Sequence, residues 1–336
     1  MLPATECGRL SAGPYAHPEW GPKLRSPMSA APVPTRRVWL GVFMLIATAA
    51  LWSLAGPLIK LLKEAGVDGV AIAFYRSAFG GVVFLPLALR RLGTLRNVSI
   101  LWPIGSVVAF TAMTVTFVIA TTMTAAANAI ILQYTSPIWV FLLAPLLLKE
   151  RPGQAEGLVL LIAMAGVAII FFGHGAADIP WLAVALASGL GFGTLIVVLR
   201  GLRRVNPVVV AAMNTLGSGL LLGIAVALWG SFDLTVRQLG LLLMLGLVQF
   251  TLPYVMFSWA LQYVEAHRAA LIVLLEPTLN PLWTYLIVAE VPPPATFIGG
   301  PLILLSVVGW ILLTWRRESA NSRRECTSHP LESRAI

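Results

Sequence analysis

The sequence predicts an all-α membrane protein with ten transmembrane helices, arranged as two inverted five-helix repeats. Composition, the order of apolar runs and an internal duplication carry that prediction. Of the 336 residues, 58% are hydrophobic and 11% are charged, against about 25% charged in a soluble domain. Too little charge remains to cover a water-facing surface, so the expected solvent is lipid. The formal charge of +9 comes in short basic clusters between apolar runs. That pattern orients a membrane protein and offers no continuous basic face for nucleic acid.

The duplication is read at a separation of 140 residues. It pairs Pro137 with Pro277, Glu150 with Glu290, Pro152 with Pro292, Phe110 with Phe250 and Phe117 with Phe257. Past Pro293 and Pro294 the separation becomes 143, pairing Gly157 with Gly300 and Gly166 with Gly309. Internal repeats of this kind are how many secondary transporters build a central substrate path.

A spanning helix needs about 20 apolar residues. The first expected crossing is 38–59 and the second is 69–89, interrupted only by Arg76. The run 97–148 is too long for one crossing. It breaks near the polar Thr121-Thr122-Met123-Thr124, giving the third and fourth. The rest are 157–172, 180–199, 207–228, 238–261, 269–289 and 295–315. Four segments follow: a tail at 1–36, repeats at 37–176 and 177–316, and a tail at 317–336. The first tail is rich in Pro, Gly, Ser and Ala and lacks an apolar stretch long enough for a signal peptide. It reads as disordered, with Met28 as an alternative start.

Cys7 and Cys326 lie in opposite tails, and His17, His174, His267 and His329 lie in tails or at segment ends. No disulfide framework, metal site or cofactor is expected from them. With the N-terminus inside, inner loops and flanks hold fifteen Lys and Arg residues. The outer ones hold three: Lys60, Lys63 and Arg237. This bias predicts both termini in the cytoplasm and an even number of crossings. Five helices per repeat then make the second copy enter from the opposite side. Glu150 falls at the inner face and Glu290 at the outer, an arrangement that supports alternating access. The expected location is the cell membrane, as a multi-pass protein of the bacterial inner membrane.

Several stretches carry a family resemblance. Leu274-Leu275-Glu276-Pro277, then Pro281-Leu282, Leu286 and Glu290, is similar to the ninth-helix signature of the drug/metabolite transporter superfamily, EamA-type permeases. Ser136-Pro137 through Lys149-Glu150-Arg151 resembles the matching fourth-helix motif. Ala73-Phe74-Tyr75-Arg76 resembles the second-helix Phe-x-Arg element, and Ala260-Leu261-Gln262-Tyr263 the end of the eighth helix. The resemblance covers roughly 38–315. It implies a ten-helix permease that exports metabolites, amino acids or toxic compounds.

Charges inside lipid cost several kcal/mol unless paired or hydrated, so they are functional suspects. Two lie well inside a span. Glu276 precedes Pro277 and Pro281, each of which removes a backbone donor and opens the helix. Freed carbonyls beside a carboxylate suit a coupling proton, a cation or an amine. A structural carboxylate bonded to a neighbouring helix is the other reading. Arg76 suits a substrate carboxylate or a pair with Glu276. Its alternative is snorkelling to the headgroups. Ser136 occupies the repeat position of Glu276, and Asn214 stands near that of Arg76, which favours one asymmetric site. Trp52, Asn128, Gln133, Tyr134, Trp139, Gln249, Tyr254, Asn280 and Trp283 complete the candidates for binding a small organic solute. Pro137, Pro277 and Pro281 are the expected helix breaks.

Gly189-x-x-x-Gly193 and Gly219-x-x-x-Gly223 read as close helix packing. Glu150 and Glu290, beside Pro152 and Pro292, read as helix ends, with gates on opposite faces as the second reading. A membrane enzyme is the runner-up, but no nucleophile–base pair or span-interior histidine is present for it. A non-transporting receptor would call for larger soluble domains. No phosphate-binding loop of the Gly-x-x-x-x-Gly-Lys-Ser/Thr type occurs.

Overall fold

A computed structural model describes residues 35–96, 98–148, 154–260, 263–264, 269 and 272–328. The described residues hold helices and connecting turns, with no strand among them. Residues 1–34 of the N-terminal tail, Glu150 and Pro152 lie outside them, while Thr35 and Arg36, expected in that tail, are helical.

The first expected crossing is two helices, α1 (Thr35–Trp52) and α2 (Ala55–Glu64). Pro57 explains the break. It has no N–H for the carbonyl four residues earlier, that of Ser53. The crossing also runs past Ile59, so Lys60 and Lys63 are helical. The second crossing is α3 (Gly69–Leu89), as expected. Its first turn is capped by Asp68, whose carboxylate accepts from the Val70 N–H at 2.8 Å.

The run 97–148 breaks where expected. α4 (Leu101–Met123) ends at Thr124, and α5 (Ala126–Gln133) follows. A second break at Tyr134 and Thr135 precedes α6 (Ser136–Leu148). Pro137 again leaves the carbonyl four residues back without its helical donor. Then come α7 (Gln154–Phe172), α8 (Ile179–Gly201) and α9 (Pro207–Trp229).

The eighth expected crossing is composite. α10 (Val236–Leu243) leads into a π-helical stretch, Met244–Thr251, and then α11 (Leu252–Ala260). Thr235 and Gln238 form a capping box at its start, and the Gln238 amide also donates to the Ala65 carbonyl at 2.8 Å. The ninth crossing is not one continuous helix. It turns at Leu274, and α12 (Leu275–Val288) starts there, so Glu276 lies in a first helical turn; Pro281, an expected break, instead lies inside this helix, which continues through it. α13 (Pro294–Ser328) runs beyond the apolar segment.

Among the described residues, eight stretches are long and apolar enough to cross a membrane. The expected fifth and ninth fall short among the described residues. The ninth is shortened by its turn at Leu274, leaving 14 residues in α12, about 21 Å of helix.

The contacts follow the repeat. α3 packs on α9, α7 on α13, α4 on α8 and α1 on α11. Exchanging the halves returns the first two pairs to themselves and maps the third onto the fourth. The repeat-related rings of Phe110 and Phe250 meet, with centroids 6.2 Å apart. Phe172 and Trp229 are 90% and 83% exposed, while Asn128, Gln249 and Asn280 are buried. Apolar outside and polar inside suits lipid.

The two Gly-x-x-x-Gly pairs pack within the chain. Gly189 and Gly193 on α8 face Thr135 and Trp139 at the start of α6. Gly219 and Gly223 on α9 face Ala78 and Phe74 on α3. A side chain at Gly193 would meet the Ser136 carbonyl, which cannot swing aside. Gly193→Val is therefore expected to cost about 1–3 kcal/mol, read as a lower melting temperature in detergent. An unchanged melting temperature would remove this account of the contact.

Candidate functional site

The irregular points of four crossings converge on one polar cluster. At the first, the carbonyls of Trp52 and Ser53 are freed by the break before α2. They are not left bare. The Gln249 amide donates to the Trp52 carbonyl at 2.9 Å, and the Asn280 amide donates to the Ser53 carbonyl at 3.0 Å. Gln249 comes from the π-helical stretch and Asn280 from α12. One broken helix is thus stitched to two others through its own backbone.

Glu276 and Asn280 are four residues apart on α12 and share a face. The Glu276 carboxylate accepts from the Tyr134 hydroxyl at 3.0 Å. Tyr134 caps α5, at the break of the fourth crossing. Tyr134 and Leu274, the break residues of the fourth and ninth crossings, are 140 residues apart. The duplicated frame therefore brings its two breaks together, with a carboxylate on one side only.

Arg76 points inward. Its guanidinium carbon lies 4.5 Å from the Phe250 ring centroid and 6.0 Å from that of Phe117. Its Nε is buried with no hydrogen-bond partner among the described residues. The snorkelling alternative does not hold, because α3 presents this side to α4 and the π-helical stretch instead of lipid. The rings continue from Phe250 to Tyr254, with centroids 5.2 Å apart, and from Tyr254 to Trp52, 5.3 Å apart. Arg76 and Glu276 belong to one cluster, joined through the Phe250, Tyr254 and Trp52 rings and the Gln249 and Asn280 amides.

Several buried polar atoms have no partner among the described residues: Arg76 Nε, Gln249 Oε1, Asn280 Oδ1, Trp139 Nε1 and Trp283 Nε1. Unmet donors and acceptors in an apolar interior are costly. A polar solute or water would satisfy them.

Two candidates are engaged elsewhere. Asn214 accepts from the Ser106 hydroxyl at 2.8 Å, joining α9 to α4. Asn128 donates to Thr124 Oγ1 and contacts His174 Nε2, while its carbonyl accepts from Thr296 Oγ1. Both read as helix-joining amides. Gln133 is half-buried beside Tyr134. Phe250, Phe117 and Ser53 were not among the sequence candidates. Gly56-Pro57 inside an apolar run was a signal for the Ser53 carbonyl, and Pro253 was one for the irregular eighth crossing.

The chain is 27% identical over 271 residues to an uncharacterized transporter of Archaeoglobus fulgidus, covering 78% of this chain and 93% of that protein. It is also 27% identical over 275 residues to the pseudopaline exporter CntI of Pseudomonas aeruginosa, covering 80% of this chain and 94% of the exporter. A solved crystal structure aligns with a TM-score of 0.57 at 21% identity, over 84% of this chain and 99% of its own. That likeness bears on the fold alone. The EamA-like transporter family matches residues 39–172 and again residues 179–312. With two such repeats spanning most of its length, the chain belongs to the EamA-like transporter family of the drug/metabolite transporter superfamily.

Proposed function

We propose that this multi-pass membrane protein is a secondary transporter that exports a small metabolite, amino acid or toxic organic compound by alternating access. The carrying observation is that Arg76 and Glu276, two span-interior ionisable residues, both lie at the convergence of four irregular crossings. Arg76 and the unpaired amide oxygens bind polar groups of the solute. Trp52, Phe250 and Tyr254 hold its apolar part. Glu276 carries the coupling proton or cation, with Tyr134 holding its carboxylate in place. The breaks at Pro57, Pro137 and Pro277 let half-helices move separately.

In this reading ten crossings form two inverted five-helix repeats, 37–176 and 177–316. Both termini face the cytoplasm, and the location is the bacterial inner membrane. The basic inner loops support that orientation. The two 134-residue family matches support the repeat, and the exporter relative supports the direction. No step alters the solute covalently, so the protein is not an enzyme.

The test is flux in proteoliposomes holding the purified full chain. A pooled metabolite and toxin screen on cells with and without the gene selects the solutes. Net solute movement without chemical change, accelerated by an imposed pH or cation gradient, is the expected result. Chemical conversion of the solute would overturn the reading, as would movement equal to that in protein-free liposomes.

A further inference from the structure

A second charged constellation lies apart from the site. Lys60 on α2 and Glu290, two residues past α12, form an ion pair with Nζ and Oε2 2.6 Å apart. The two side chains are 17% and 22% exposed. That is shielded enough to strengthen the pair beyond an exposed one, yet wet enough to separate. Each charge has a second bond to the turn between α4 and α5. Lys60 Nζ donates to the Thr124 carbonyl at 2.8 Å, and the Ala126 N–H donates to Glu290 Oε1 at 2.7 Å. The chain enters Glu290 through Ala289 at φ 54°, a left-handed conformation that residues other than glycine seldom adopt.

Three segments thus meet at one point, and each leads back to the site. α2 begins just after the break that exposes the Ser53 carbonyl. α5 ends at Tyr134. α12 carries Glu276 in its first turn. These are short helices, about 12–21 Å long, so separating their far ends must move the groups at their near ends. The repeat also writes the same two signs again in the sequence, with Arg200 140 residues past Lys60 and Glu150 140 before Glu290.

We propose that Lys60 and Glu290 are the latch that closes the transport path at the face assigned to the outside by loop charge. The proposal rests on the transporter reading above. Opening to that face breaks the ion pair and the two bonds to Thr124 and Ala126 together. It frees α12 from α2 and α5. The latch thereby couples exposure of the outer path to the positions of Glu276 and Tyr134.

The test uses the full chain in cell membranes, with Cys7→Ser and Cys326→Ser as background and Thr284→Cys as reporter. Thr284 is buried and lies between Asn280 and the latch. A charged, membrane-impermeant thiol reagent is added outside, and labelling is normalised to protein abundance. Lys60→Gln and Glu290→Gln are each expected to raise the labelling rate by at least about tenfold, a shift of about 1.4 kcal/mol. The two variants change the local potential in opposite senses, so a common rise reports opening and not attraction of the reagent. The swap Lys60→Glu with Glu290→Lys is expected to slow labelling only part of the way back, because it re-forms the ion pair while the reversed charges lose their bonds to Thr124 and Ala126. Rates within twofold of the parent in either single variant would overturn the latch. A rise confined to inside-out vesicles would overturn its outer placement. Flux is measured in the parent alongside: its absence would count against the transporter reading, whereas unchanged labelling in a parent that transports counts against the latch alone.

Discussion

Glu276→Gln, produced at wild-type membrane abundance, is expected to lower flux at least tenfold and to abolish its dependence on an imposed pH or cation gradient. Gln keeps the size of the side chain and its ability to accept from Tyr134, whose hydroxyl lies 3.0 Å from the carboxylate. What it removes is the negative charge. A tenfold loss corresponds to about 1.4 kcal/mol, well below the several kcal/mol that a charge in lipid surroundings commands. Tyr134→Phe is expected to reduce flux in the same direction but less, since it removes one hydrogen bond and leaves the carboxylate in place. Glu276→Gln with undiminished, gradient-dependent flux would show the carboxylate to be a structural bond between crossings.

Arg76→Ala is expected to raise KM or lower the rate by more than about tenfold. The guanidinium sits over the Phe250 ring at 4.5 Å, and a desolvated cation–π contact contributes about 2 kcal/mol. Arg76→Lys restores the charge but not the planar face that lies against the ring, so partial recovery is expected. Because the two residues belong to one cluster, Arg76→Ala combined with Glu276→Gln should lose less than the two single losses added together. The check is flux at varied solute concentration. Unchanged KM and rate in both Arg76 variants would exclude a role in binding.

Much of this arrangement was legible in the sequence. The second crossing matches its expected bounds, because an apolar run between Asp68 and Arg90, interrupted only by Arg76, leaves little choice. The 140-residue frame pairs Pro137 with Pro277, and the structure breaks each helix three residues earlier, at Tyr134 and Leu274. Glu276 and Arg76 stood out as the charges well inside a span. Less legible were the breaks in otherwise apolar helices. Val197 stands in the repeat position of Pro57, and α8 runs unbroken where the first crossing splits. A proline's effect on its own helix can be read four residues back. The group that then claims the freed carbonyl cannot.

The sequence by itself determined that lipid is the solvent, that the halves share one frame, and that the frame carries a carboxylate in one copy only, Glu276 against Ser136. Those properties follow from composition and spacing, which are local or periodic. Only the tertiary structure decided where each polar group spends its bonds. It turned Arg76 inward onto Phe250 and gave the Ser53 carbonyl to Asn280. It committed Asn214 and Asn128 to joining helices, and it bound Lys60 to Glu290 across 230 residues. In an apolar interior every exposed donor or acceptor must find a partner, and that choice depends on which helices are neighbours, which no single stretch of chain encodes.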